Sequence, residues 1–251
     1  MYRILALLFC LTLPAHGETV VAGLSQKQVA ITANFDGSDI LVFGAVKRDA
    51  PAPGGGPIQV VIAVSGPQEP VVVRRKAKRM GIWINTDTVE VDSAPSFYAV
   101  ATSAPFAETI SETEDLRFHV STERAIRTVG APDTISDSKS FTEALIRIRK
   151  KNELYQLNES SVTMTDDTLF SASFELPSNL SEGEYTTRIL LTRDGSVIDE
   201  YKAILDVRKV GLERFLYNLA HEQSFAYGIL SLAIAILAGW GASAVFTLFR
   251  K

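Results

Sequence analysis

The residues with the most chemical promise in this chain lie between positions 74 and 85. Arg74-Arg75-Lys76-Ala77-Lys78-Arg79 concentrates positive charge, and Gly81-Ile82-Trp83-Ile84-Asn85 follows at once. Arginine forks match the paired oxygens of sulfonate, phosphate or carboxylate, and Trp83 offers an apolar or cation–π wall beside them. The same run suits lipid headgroups or the acidic face of a partner. A structural account competes with these. Arg74, Lys76 and Lys78 share one strand face and would oppose Thr88, Glu90 and Asp92 on the next strand, in pairs worth roughly 0.2–1 kcal/mol each. That account leaves Arg75 and Arg79 unexplained.

Catalytic groups are sparse. His16, His119 and His221 are the three histidines, too few and too scattered for a histidine-rich metal site. His119 reads as a surface or packed residue and His221 as an interfacial one. Val64-Ser65-Gly66 lacks the GxSxG frame of a nucleophile elbow, so Ser65 reads as a turn residue. Glu90 and Asp92 would share a strand face, as an acid–base pair or as a solvated surface. Asp166-Asp167 lacks the alternating oxygen ligands of a calcium loop and reads as a turn. The glycine-rich stretch 51–57 has no GK[ST] or GxGxxG behind it and reads as a linker. No enzyme activity, cofactor or metal site is expected from this inventory.

Two apolar blocks frame these residues. Arg3, the apolar run 4–13 and Pro14-Ala15-His16-Gly17 have the form of a signal peptide cut after Gly17. As a helix that run spans roughly 15 Å, about half of a bilayer core, which disfavours an uncleaved anchor. Cys10, the only cysteine, would leave with it; bulky Phe9 before it argues against a lipoprotein signal. Residues 225–249 carry no charge and are long enough to cross a bilayer with some tilt. A chain exported by its N-terminus and stopped there leaves Arg250 and Lys251 in the cytoplasm. Ser231, Ala235, Gly239 and Ser243 recur every fourth residue along this span, a small-residue stripe on which another helix could pack.

Setting aside Arg3, Arg208, Lys209, Arg214, Arg250 and Lys251 from 25 basic residues leaves 19; setting aside Glu213 and Glu222 from 29 acidic ones leaves 27. Such an acidic exported part argues against nucleic acid.

The elements that must position the basic run are strands. Alternation over 28–35 and β-branched runs at 40–46 and 58–64 are followed by strand chemistry at 71–78, 81–85, 88–92 and 97–102. Asp36-Gly37-Ser38-Asp39 predicts a tight hairpin turn. Between 105 and 157 the period moves toward 3.6, with short helices at 111–116 and 122–129. Ser140-Phe141-Thr142-Glu143 has the form of a capping box opening an amphipathic helix that carries Phe141, Leu145 and Ile148 on one face. Strands return at 162–164, 168–176, 184–192 and 196–206, with Asp194-Gly195 as a hairpin turn. The β regions on either side of the helices fit two small sandwiches or one larger one. The expected class is mainly β, an immunoglobulin-like sandwich ectodomain with a helical insertion, plus one C-terminal transmembrane helix. Its parts are a signal peptide (1–17), a sandwich-like region (18–105), a helical region (106–157), a second β region (158–208), a juxtamembrane amphipathic helix (209–223), the span (224–249) and a short tail (250–251).

Residues 35–45 (FDGSDILVFGA), 72–85 (VVRRKAKRMGIWIN) and 210–240, with VGLERFLYNLAHE followed by YGILSLAIAILAGW, occur in order and at characteristic spacing. On these stretches essentially the whole chain resembles the alphaproteobacterial "putative transmembrane protein" family, which has no assigned activity. The resemblance implies a Gram-negative inner membrane with the ectodomain in the periplasm. It also implies an accessory encoded near sulfite-exporter-like permeases, and it supplies no catalytic residues.

Together these readings predict a membrane-anchored periplasmic binding or accessory module, with membrane lipid and an integral membrane protein or a second copy of its own helix as partners. The rivals are a membrane-tethered periplasmic enzyme using carboxylates and a structural envelope protein.

Overall fold

The computed structural model describes residues 18–32, 35–48, 55–128, 137–210 and 212–249. The signal-peptide expectation, with Cys10 and His16, lies outside them, as do residues 51–54 of the linker and the tail Arg250-Lys251.

The chain forms two units, a body drawn from Met1–Val29 and Asp36–Val207 and a second unit of Ala30–Phe35 and Arg208–Lys251. In the body, β1 (Glu18–Leu24) and β3 (Ser38–Arg48) pair antiparallel, and β10 (Leu169–Leu176) and β9 (Thr163–Thr165) complete a sheet of order β1-β3-β10-β9. Strict alternation along β3 buries Ile40, Val42 and Val46 and exposes Leu41 and Phe43, as a strand covered on one side requires. Gly44 sits beneath the Phe170 ring and against Ala22, leaving no room for a Cβ.

The second sheet has order β2-β12-β11-β4-β7-β8, with β2 at Gln28–Ile31, β4 at Ile58–Ser65, β7 at Tyr98–Thr102, β8 at Tyr155–Asn158, β11 at Gly183–Arg193 and β12 at Ser196–Lys209. Val60 to Val64 of β4 are all buried, because both faces of this sheet are covered. One faces the first sheet, and across that gap Asp199 of β12 accepts the Val20 N–H at 2.7 Å. The other face carries the helical insertion: α1 (Phe106–Thr109), α2 (Glu112–Phe118), α3 (Thr122–Ala125) and α4 (Ser138–Lys151). On that side the Tyr98 hydroxyl donates to the Val120 carbonyl at 2.7 Å, and Arg188 donates to the Phe118 carbonyl at 2.6 Å.

The β regions before and after the helices interleave. β10 pairs with β3 and β11 pairs with β4, so they close one larger sandwich. The insertion also returns as a strand within the expected helical region, for β8 pairs parallel with β7. Three local expectations are corrected. Residues 36–39 do not make a hairpin, since β2 and β3 belong to different sheets and the segment crosses between layers, with Gly37 at φ 120°. The strands expected at 81–85 and 88–92 are one long strand, Ile82–Pro95, which Gly81 precedes in a turn. Helix α4 begins ahead of the capping box; the Ser140 hydroxyl lies inside it and donates to the Asp137 carbonyl at 2.9 Å. The Asp194-Gly195 turn forms as expected, with both residues at positive φ.

In the second unit, α5 (Leu212–Glu222) precedes α6 (Ser224–Phe249). Backbone bonds continue across the junction, from Gln223 N to the Leu219 carbonyl and from Tyr227 N to the Gln223 carbonyl. Helix α6 would extend ~39 Å at about 1.5 Å per residue, enough for a hydrocarbon core of ~30 Å. From Ser224 to Ser243 none of it is buried within the molecule.

Candidate functional site

The basic run lies on a two-stranded ribbon. Among the described residues, β5 (Gln68–Arg79) and β6 (Ile82–Pro95) pair with each other and with no other strand. Met80 and Gly81, both at positive φ, form the two-residue turn that matches strand twist; the sequence signal for it was a lone glycine between two β-rich runs. Near the body the ribbon buries Val89, Val91 and Ala94. Ser93 and Arg127 exchange backbone bonds at 2.8 and 3.2 Å.

Arg75 clamps the ribbon to α4. Its guanidinium donates to both Asp137 carboxylate oxygens at 2.8 and 2.9 Å and to the Ser140 hydroxyl at 2.6 Å, lies 4.5 Å from the centre of the Phe141 ring, and stands 3.8 Å from Asp87. The hydrogen bond from Arg75 holds the Asp137 carboxyl below the usual carboxylate range, with Ser140 assisting. This contact, with the cross-strand ion pair to Asp87, accounts for Arg75, which pairing with Thr88, Glu90 and Asp92 left unexplained. Arg75→Ala is expected to lower stability modestly, through loss of the stacked cation on Phe141 and of the exposed charge pair, measurable by urea unfolding.

Beyond Arg75 a bulge shifts the register, so that Arg75 opposes Asp87 and Lys76 opposes Asn85. The strands are antiparallel, so Glu90 and Asp92 lie toward the base of the ribbon, away from Lys76 and Lys78. Arg74 faces Thr88, Lys78 faces Trp83 and Arg79 faces Ile82, while Glu90 faces Val72. Among the described residues no carboxylate pairs with Arg74, Lys76, Lys78 or Arg79. All four are exposed, together with Met80 (104%), Ile82 (65%), Trp83 (68%) and Ile84 (40%). Of the six candidate residues, Lys76, Lys78, Arg79 and Trp83 thus cluster at the distal ribbon, while Arg74 and Arg75 lie nearer its base, which Arg75 supports.

The remaining candidates have plain roles. Ser65 ends β4 and donates to the Gly66 carbonyl at 3.3 Å. His119 is the left-handed C-cap of α2. Asp166 and Asp167 form the β9–β10 turn. Glu90 and Asp92 are exposed on β6. His221 stacks on Tyr217 at 4.1 Å and its Nδ1 lies 2.9 Å from the Tyr217 carbonyl. A cleft of about 760 Å³ is lined by Tyr98, His119, Arg124, Arg127, Glu184 and Arg188. Two of its arginines are structural: Arg188 holds the α2 C-terminus, as above, and Arg124 lies 3.3 Å from buried Asp115, whose carboxylate accepts the Val120 and Ser121 N–H groups. Among the described residues no three His, Cys, Asp or Glu side chains gather as metal ligands. On α6, Ser231, Ala235, Gly239 and Ser243 are all exposed, and a Cβ at Gly239 would meet nothing.

A mainly β body followed by one uncovered apolar helix of bilayer length defines a single-pass membrane protein of the β-sandwich class. The chain belongs to the family described as "Putative transmembrane protein", whose profile matches residues 19–248. Comparison with curated proteins found no match. Among solved structures it is similar to Spo0M, a sporulation control protein from Bacillus subtilis, at 12% identity and a TM-score of 0.28; the match covers 81% of this chain but about half, 54%, of that one.

Proposed function

We propose that this protein is a non-catalytic accessory module, tethered to the inner membrane by α6 with its β body in the periplasm and its C-terminus in the cytoplasm. Residues 1–17 serve as the export signal. The β5–β6 ribbon is its recognition element for an anionic target, and the Ser231-Ala235-Gly239-Ser243 stripe packs α6 against an integral membrane transporter, an anion permease of the sulfite-exporter kind. The observation that carries this reading is the distal ribbon. An otherwise acidic chain concentrates three cations there, Lys76, Lys78 and Arg79, without acid partners among the described residues, beside exposed apolar side chains. Cations spent on stability would be expected to face carboxylates, as Arg75 does.

Two variants test it. Gly239→Leu should abolish crosslinking and co-purification with a polytopic permease from native membranes; unchanged recovery would overturn the helix contact. Reversal of Arg74, Lys76, Lys78 and Arg79 to Glu should impair anion efflux while shifting stability by no more than about 0.5 kcal/mol, as surface substitutions do. Normal efflux with the reversed ribbon, or a collapse in stability, would remove the ribbon from the function.

A further inference from the structure

We propose that the distal β5–β6 ribbon is a lipid-docking element, dipping Met80, Ile82, Trp83 and Ile84 into the interfacial zone of an anionic bilayer while Lys76, Lys78 and Arg79 meet headgroup phosphates. This rests on the reading of the ribbon as the recognition element and names what it recognises.

The distribution of side chains around the ribbon selects lipid over a protein surface. Successive side chains of a strand point to opposite faces, and the register sets Trp83 and Asn85 opposite Lys78 and Lys76, with Ile82 and Ile84 opposite Arg79 and Ala77. Trp83 therefore lies on one face with Lys76 and Lys78, and Ile82 and Ile84 lie on the other with Arg79. Met80 caps the end, fully exposed. A folded partner covers one face and leaves the other wet. A fluid phase surrounds a tip that is apolar and basic on both sides. Tryptophan is suited to that zone, its ring satisfied by acyl chain and its N–H by water or headgroup, and the long basic stems place their charge at the phosphates while their methylenes lie in the apolar layer.

Electrostatics permits the approach although the chain is acidic overall. From the Arg75 clamp to Met80 the ribbon extends about 17 Å at roughly 3.4 Å per residue, well beyond the screening length of ~8 Å at physiological salt. An anionic surface meeting the tip responds to the local cations rather than to the acidic body. The clamp on Asp137, Ser140 and Phe141 holds the ribbon base, so little ordering is required on docking.

Trp83 reports the event directly, because Trp240 is the only other tryptophan. The full chain carrying Trp240→Phe is placed in phosphatidylcholine nanodiscs and mixed with vesicles of brominated lipid. Vesicles containing phosphatidylglycerol should quench Trp83 and shift its emission to the blue, and pure phosphatidylcholine vesicles should not. Each of Lys76→Gln, Lys78→Gln and Arg79→Gln should weaken binding about fivefold. Ile82→Ser should reduce the quenching without altering the salt dependence. Inorganic phosphate should act only as chloride of the same ionic strength does. Absence of quenching, equal quenching by both vesicle types, or specific displacement by phosphate would overturn the proposal. A photoreactive residue at Met80 that crosslinks protein while Trp83 ignores lipid would overturn docking on lipid yet leave the ribbon as a recognition element. Loss of neither lipid nor protein contact on charge reversal would instead defeat that broader reading.

Discussion

Glu18→Ala is expected to lower the unfolding free energy by about 3 to 5 kcal/mol, the range for stranding a buried charge whose partner is removed. Glu18 opens β1 and is buried between two arginines. Arg48 Nε donates to its Oε1 at 2.8 Å, and Arg193 Nη2 meets Oε2 at 2.7 Å as an ion pair off the hydrogen-bond line. Arg48 lies on the neighbouring strand β3, but Arg193 ends β11 of the other sheet, so the carboxylate fastens the two layers at one end. The guanidiniums are themselves held, Arg48 by the Asp167 carbonyl at 2.7 Å and Arg193 by the Gly56 carbonyl at 3.2 Å. They cannot readily retreat to water when the acid goes. At roughly 2–4 °C per kcal/mol for a body of this size, the melting temperature should fall by roughly 6–20 °C. Arg193→Ala leaves Glu18 with Arg48 and should cost less than Glu18→Ala. A double-mutant cycle between positions 18 and 193 should give a coupling of about 0.5–3 kcal/mol. A coupling near zero would mean that each residue acts through packing alone.

This pair also shows what could be read in advance. The strand runs at 40–46 and 58–64, the Asp194-Gly195 turn and the apolar helix at 224–249 are local patterns of period and turn chemistry, legible because neighbours in sequence decide them. Glu18, Arg48 and Arg193 lie far apart in sequence, and nothing in their local spacing announces that they meet. Arg75 failed to be explained for the same reason, since its partner Asp137 lies 62 residues away on a different element. The ribbon itself was half legible. Both strands were foreseen, but the bulge between Arg75 and Lys76 breaks the alternation, splitting β6 into two apparent strands, while the antiparallel direction carries Glu90 and Asp92 toward the base, away from Lys76 and Lys78. The β8 strand, four residues beside β7, was hidden because a parallel edge pairing has no turn signal of its own. The residues 36–39 carried a sound turn signal, but local chemistry does not say whether a turn joins partners or crosses between layers.

Base should unfold this protein cooperatively between about pH 10 and 12. Tyr98, Tyr155 and Tyr185 are each buried, and burial pushes each phenol up to about 12. Each hydroxyl donates to a backbone carbonyl: Tyr98 to Val120 at 2.7 Å, Tyr155 to Pro95 at 2.7 Å and Tyr185 to Ser181 at 2.8 Å. A phenolate has no proton to donate and would set its charge against the carbonyl oxygen. The native state therefore keeps its protons through a range in which the unfolded chain, with an ordinary tyrosine near 10, has released them. Below pH 10 both states are protonated and the stabilisation is intact. Above it the unfolded state is favoured increasingly, until the native phenols also ionise near 12. At about 1.4 kcal/mol per unit, a shift of about two units is worth up to about 3 kcal/mol for each tyrosine, and the three together approach a typical domain stability of 5–15 kcal/mol. Absorbance near the phenolate band should show these groups ionising together with the loss of near-ultraviolet circular dichroism. Tyr98→Phe should cost about 1 kcal/mol at neutral pH through its lost hydrogen bond while reducing the alkaline slope by about a third, since one of three linked protons is gone. Ionisation of all three phenols near pH 10 with the fold intact would show that water reaches them, and that the interface between sheet and helical insertion is looser than the buried contacts of Tyr98 require.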